Sequence, residues 1–151
     1  MKRWLPIFGL LSVLLLAQSC SKKSWAPNIP PVAGTWVLAE SSQNNGYGWH
    51  YFTTGLESGV FDFYNNGQAS YDDGYNLMRG SWGIQTVSTG YYDQYGDYYE
   101  NLHDAMEIHL FDNQTKASAD LYFDDVVFTG SQIIATNYQG GMISRYIFRR
   151  Y

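Results

Sequence analysis

Three histidines, His50, His103 and His109, are the residues of this chain best suited to metal or acid–base chemistry. Their spacing contains neither H-x-H nor H-E-x-x-H, and no soft ligand accompanies them, because the single cysteine, Cys20, lies far upstream. Glu107 and His109 are two apart, so on a strand they share a face and could hold a metal with one distant partner. The same pattern describes a solvated polar face opposite Met106, Ile108 and Leu110. The acidic groups are Asp72-Asp73-Gly74, Asp93, Asp97 and Glu100, and Asp124-Asp125. A calcium loop needs about six to eight oxygens at tight spacing, and only an irregular site at Asp93, Asp97 and Glu100 comes near it; solvated turns account for all three groups. No G-x-S-x-G, P-loop or dinucleotide fingerprint occurs, and Ser41 and Ser42 have no identifiable base beside them. The sequence therefore predicts neither enzyme nor metal centre nor cofactor.

The residues that point to recognition are Tyr91, Tyr92, Tyr95, Tyr98 and Tyr99, five tyrosines in nine residues with Gly90 and Gly96 among them. Tyrosine joins a large apolar face to a polar tip at low entropic cost, so such a segment could stack on a sugar ring or dock a protein partner. It could equally fold back over the mouth of a sheet as packing. Trp49 and Tyr51, near a second Gly-rich turn, are candidates for the same surface.

These groups need a scaffold, and its composition is β-like: 14 Tyr, 8 Phe, 5 Trp and 15 Gly, with few strong helix formers. Gly34 to Ala39 reads as a first strand with Trp36 and Leu38 on one face. Trp49 to Phe52 reads as a short second one. Gly59 to Tyr64 alternates with Phe61 and Phe63 together, and Asn65-Asn66-Gly67 supplies a hairpin turn back into Gln68 to Asp72. Strands are expected over Arg79 to Val87, Ala105 to Phe111, Ala117 to Phe123, Ile133 to Asn137 and Met142 to Arg150, and a long loop over residues 88–103. The expectation is an all-β, antiparallel, up-and-down barrel of 8–9 strands, since closure removes exposed edges.

The N-terminal segment is of another kind. Lys2 and Arg3 precede the apolar run Leu10 to Ala17, and small polar residues follow, as in a secretory signal. Cys20 at the cut resembles the lipobox of bacterial lipoproteins, although Ala17 stands where that box usually has Leu. The resemblance implies a signal peptide over 1–19, lipidation of Cys20, a tether over 20–31 containing Pro27, Pro30 and Pro31, and a folded domain over 32–151. Nine basic residues against fourteen acidic ones give a net charge of −5, and loss of Lys2 and Arg3 makes the chain more acidic. That balance argues against nucleic acid and against anionic headgroups. With one cysteine, no disulfide can form within the chain.

Gly34-Thr35-Trp36 resembles the G-x-W opening strand of lipocalins. The blocks Phe61 to Gly67 and Gly80 to Ile84, with the ending Tyr146 to Arg150, resemble bacterial lipocalin-like lipoproteins. The likeness covers roughly residues 32–151; the chain lacks the disulfide, the C-terminal helix and the T-D-Y block of secreted eukaryotic lipocalins. The resemblance implies that Trp36 seals the closed end of a barrel, with Gly34 beside it and Arg149 or Arg150 stacked above. It also implies a non-enzymatic binding module for a small hydrophobic or carbohydrate ligand. The alternative is a structural or protein-interaction lipoprotein with a filled barrel and a tyrosine-rich contact loop. Membrane attachment through lipid, a possible outer-membrane protein partner, and the periplasmic face of the outer membrane complete the expectation.

Overall fold

Aromatic and β-branched residues at every second position give strands with one buried face, and ten such strands make up the fold of the computed structural model, which describes residues 32–151. Cys20, the expected signal peptide over 1–19 and the expected tether over 20–31 lie outside the described residues. The strands are β1 (Gly34–Asn44), β2 (Trp49–Tyr51), β3 (Val60–Phe63), β4 (Gln68–Asp72), β5 (Leu77–Tyr92), β6 (Tyr98–Phe111), β7 (Ser118–Phe123), β8 (Asp125–Phe128), β9 (Gln132–Gln139) and β10 (Met142–Arg150). All pairings are antiparallel, in the order β7-β6-β5-β4-β3-β1-β10-β9-β8, with β2 added to β1. One continuous row of partners runs Gly34, Phe63, Ala69, Gly80, Leu110, Ala119.

The core is aromatic. Phe61 contacts Tyr71 at 4.8 Å between ring centroids and Phe148 at 5.5 Å, and Phe123 reaches Phe148 at 6.1 Å. Trp36, Leu38, Met106, Ile108, Ile133 and Ala135 bury their side chains around these rings. Tilted and edge-on geometry suits the ring quadrupoles, so the interior is filled by interlocking rings. The β3–β4 hairpin turns at Gly67, whose φ of 79° suits the residue without a Cβ. In β1 the register shifts between Leu38 and Glu40, a bulge that brings Ser41 to a buried position opposite Tyr146.

Three expectations are corrected. The strand count is ten, because Asp125–Phe128 forms β8, which the Asp124-Asp125 break conceals in the sequence. Residues 88–103 are not a loop: β5 and β6 pair continuously from Arg79 with Phe111 out to Tyr92 with Tyr98, and only Asp93 to Asp97 turn. The sheet is not closed by a ladder. Its two end strands, β7 and β8, follow one another across Asp124 alone, the first pairing with β6 and the second with β9. A chain that changes partners in one residue cannot also ladder with itself. The seam is spanned instead by the Asn137 side-chain amide donating to the Tyr122 carbonyl at 3.0 Å, and by the Asp124 carboxylate accepting from the Tyr138 N–H at 2.7 Å.

Candidate functional site

The β5–β6 hairpin outruns its neighbours. β4 pairs with β5 only as far as Ser81, and β7 pairs with β6 only as far as Met106, so residues beyond these have ladders to each other alone. From Gln85 to Tyr92, paired with Tyr98 to Ala105, is eight residues of strand, a ribbon of about 26 Å at ~3.3 Å per residue. Asp93 shapes its tip: one carboxylate oxygen accepts from the N–H groups of Tyr95 and Asp97 at 2.8 and 2.9 Å. That is the work of an Asx turn, so this carboxylate is committed to backbone.

Tyr92, Tyr95, Tyr98 and Tyr99 are exposed on the ribbon, and Tyr91 is opposite Tyr99 in the ladder. Tyr92 and Tyr98 pack ring to ring at 5.1 Å, and the Tyr98 ring lies over Gly90, covering backbone that has no side chain of its own. Beneath them on the same face, Thr86 donates to Asp104 and Ser88 to Glu100, both at 2.8 Å. Glu100 is thereby engaged, and Asp93, Asp97 and Glu100 do not form a cation site. Among the described residues no group of three or more His, Cys, Asp or Glu side chains could hold a metal ion.

Trp49 and Tyr51 are not part of this surface. β2 pairs with the Asn44 end of β1, whereas the ribbon leaves the sheet on the Gly34 side of the shared row. Trp49 lies beneath the Arg145 guanidinium, 4.4 Å from the ring centroid, and His50 sits 2.8 Å from the Gln43 amide. Tyr51 is exposed. At the other end the Arg150 guanidinium stands 4.6 Å over the Trp36 ring, and the Trp36 indole N–H donates to the Val32 carbonyl at 2.7 Å. Gly34 has φ 138°, and a Cβ there would stand 3.0 Å from an Arg150 nitrogen. Arg149 lies in the ladder opposite Val37 with its side chain exposed.

His109 and its neighbours form a surface ion cluster. Nδ1 is 2.8 Å from Asp120 and Nε2 is 3.7 Å from Glu107. The hydrogen bond to Asp120 raises the His109 pKa above its usual value. Asp112, buried at the β6–β7 turn, accepts from the N–H groups of Gln114 and Leu77 at 2.7 and 3.0 Å. The bond from Gln114, with the others, holds its carboxyl below the usual range. Both groups perform structural tasks on turns and ladders.

A groove of about 350 Å³ that sequence patterning does not reveal runs between the ribbon and the seam, lined by Thr89, Asn101, His103, Asp124, Asp125 and Tyr138. Its residues come from two stretches more than twenty positions apart, and only strand alternation within residues 88–103 could have placed the first three on one face. Comparison of the chain with protein-family models, with curated proteins and with solved structures finds no match.

Proposed function

We propose that this protein is a membrane-anchored, non-enzymatic lipocalin-like lipoprotein that recognises its partner through the tyrosine-bearing tip of the β5–β6 ribbon. The reading takes Cys20 as the lipidated residue and the periplasmic face of the outer membrane as the location. It takes the sheet as a lipocalin-like barrel whose seam is bridged by side chains. The observation that carries it is the concentration of exposed rings at one place: Tyr92, Tyr95, Tyr98 and Tyr99 stand exposed together at the ribbon tip, whereas other exposed tyrosines such as Tyr47 and Tyr75 sit singly on separate turns. The ring packing in the core supports surface recognition over a ligand enclosed within the sheet. Exposed tyrosines on paired strands offer contact area at small ordering cost, which suits an outer-membrane protein partner.

The test uses the full chain in the membranes of a Gram-negative host. Replacing Cys20 with Ala is expected to move the protein from the membrane to the soluble fraction and to remove incorporated palmitate. A photo-crosslinking residue at Tyr95 is expected to yield one discrete adduct, and the same residue at Tyr122 on β7 none. Unchanged membrane attachment of the Cys20→Ala chain overturns the anchor. Absence of adducts from positions 92, 95 and 98 overturns the ribbon as the contact surface.

A further inference from the structure

The two faces of the ribbon treat their polar groups differently. On one, Thr86, Ser88, Glu100 and Asp104 satisfy each other across the strands. On the other, Thr89 is opposite Asn101 and Val87 opposite His103. There the Thr89 hydroxyl makes only a 3.5 Å contact with the Asn101 carbonyl, the Asn101 side chain is exposed, and His103 Nδ1 has no hydrogen-bond partner among the described residues. His103 Nδ1 is already withdrawn from solvent without one. A buried polar atom left in that state is destabilising. The fold tolerates this where it could have used the pairs found on the opposite face.

This less internally paired face, with the unpartnered His103 Nδ1, is the one that lines the groove, and across it stand Asp124, Asp125 and Tyr138. Asp124 is partly engaged by the Tyr138 N–H at 2.7 Å, whereas the Asp125 carboxylate has no partner. The lining thus presents an amide, an imidazole, a hydroxyl, carboxylate oxygens and one amphipathic ring. Among the described residues the lining contains no Lys or Arg, so an anion would meet two carboxylates without compensation from them. The polar lining disfavours a lipid tail, whose burial would strand these groups. A volume of about 350 Å³ sits at the small end of ligand sites, roughly 300–1,000 Å³.

We infer that the groove formed by Thr89, Asn101, His103, Asp125 and Tyr138 binds a neutral, hydroxyl-rich ligand, a sugar of one or two rings. Each sugar hydroxyl both donates and accepts, so it can serve the carboxylate and the imidazole at once, and the apolar face of a pyranose fits against Tyr138. The inference rests on the reading of this protein as a non-enzymatic binding module, and it concerns a site distinct from the ribbon tip.

The experiment is an amide-resolved NMR titration of the folded chain with cellobiose, maltose and diacetylchitobiose, each to about 20 mM in the presence of chelator, a range that covers weak millimolar sites. At least one disaccharide is expected to give saturable shifts confined to residues 87–90, 100–104, 124–126 and 138. Asn101→Ala and Asp125→Asn are each expected to weaken that binding about tenfold, as loss of a hydrogen bond in a site does, with the unfolding midpoint unchanged. Tyr95→Ser at the tip is expected to leave it intact, which separates this site from the crosslinked surface. Absence of saturable shifts with all three sugars overturns the inference. So does binding that survives both groove substitutions, or tighter binding of glucosamine than of N-acetylglucosamine, which would mark the groove as a cation site.

Discussion

Tyr71 and Tyr95 belong to the same residue type and live by different physics. Tyr71 is fully buried among Phe61 and its neighbours, while Tyr95 is 81% exposed at the tip of the ribbon. The body of the sheet is held by apolar burial, ring against ring. The ribbon has no core on either side and is held by its backbone ladder and by cross-strand pairs such as Tyr92 with Tyr98 and Thr86 with Asp104. The difference teaches that one continuous pair of strands can serve as core wall at one end and as presenting arm at the other. The change occurs where β4 and β7 stop.

The sharpest way to break this comparison is to empty the body. Phe61→Ala is expected to destabilise the domain by roughly 3–5 kcal/mol, read from urea unfolding, and a loss under 1 kcal/mol would contradict a ring-filled interior. Next come two glycines in the same strand. A Cβ at Gly80 would run into the backbone carbonyl of His109, and one at Gly90 into the ring of Tyr98. Backbone in a central row cannot give way, whereas an exposed ring can swing aside. Gly80→Ala should therefore cost roughly 2–4 kcal/mol and Gly90→Ala under about 0.5 kcal/mol; equal costs would mean that ribbon and body are equally rigid.

The smallest effect is electrostatic. His109 has its pKa raised by Asp120, so the protonated form is the one the fold favours. Its contribution is present below the unfolded pKa of about 6.5 and fades as pH rises through the folded value. Thermal unfolding of wild type and His109→Gln should differ at about pH 5.5, where the carboxylates remain charged, and converge once pH has risen past the raised folded value. Because His109 is well exposed, the difference should be slight and should shrink with salt.

Much of the body was legible because burial on one face writes alternation into the sequence. Phe61 and Phe63, Met106, Ile108 and Leu110, and Trp36 with Leu38 all occupy the core side they were expected to occupy. The ribbon was not legible for the same reason in reverse. With neither face on a core, residues 88–103 carry no apolar period, and their only strand signal is the abundance of Tyr and Thr. β8 was hidden because Val126 and Val127 are both apolar although only Val126 is buried. The groove was hidden because its two halves meet only through the seam, and the seam depends on a partner change at Asp124 that no local pattern announces.

The placement of β1 has a mechanical consequence. Its first residues are laddered on both sides, Trp36 to Arg150 and to Phe61, Val37 to Arg149 and to Val60, and the Tyr151 N–H adds a bond to the Thr35 carbonyl at 3.0 Å. A pull directed along the axis of this strand would load both of these ladders. Their hydrogen bonds then bear load in shear, many together, and are not peeled one at a time. Force on such a strand meets the unfolding barrier of the whole sheet. A domain loaded along that strand would stay folded under drag while its ribbon remained free to sample what lies near.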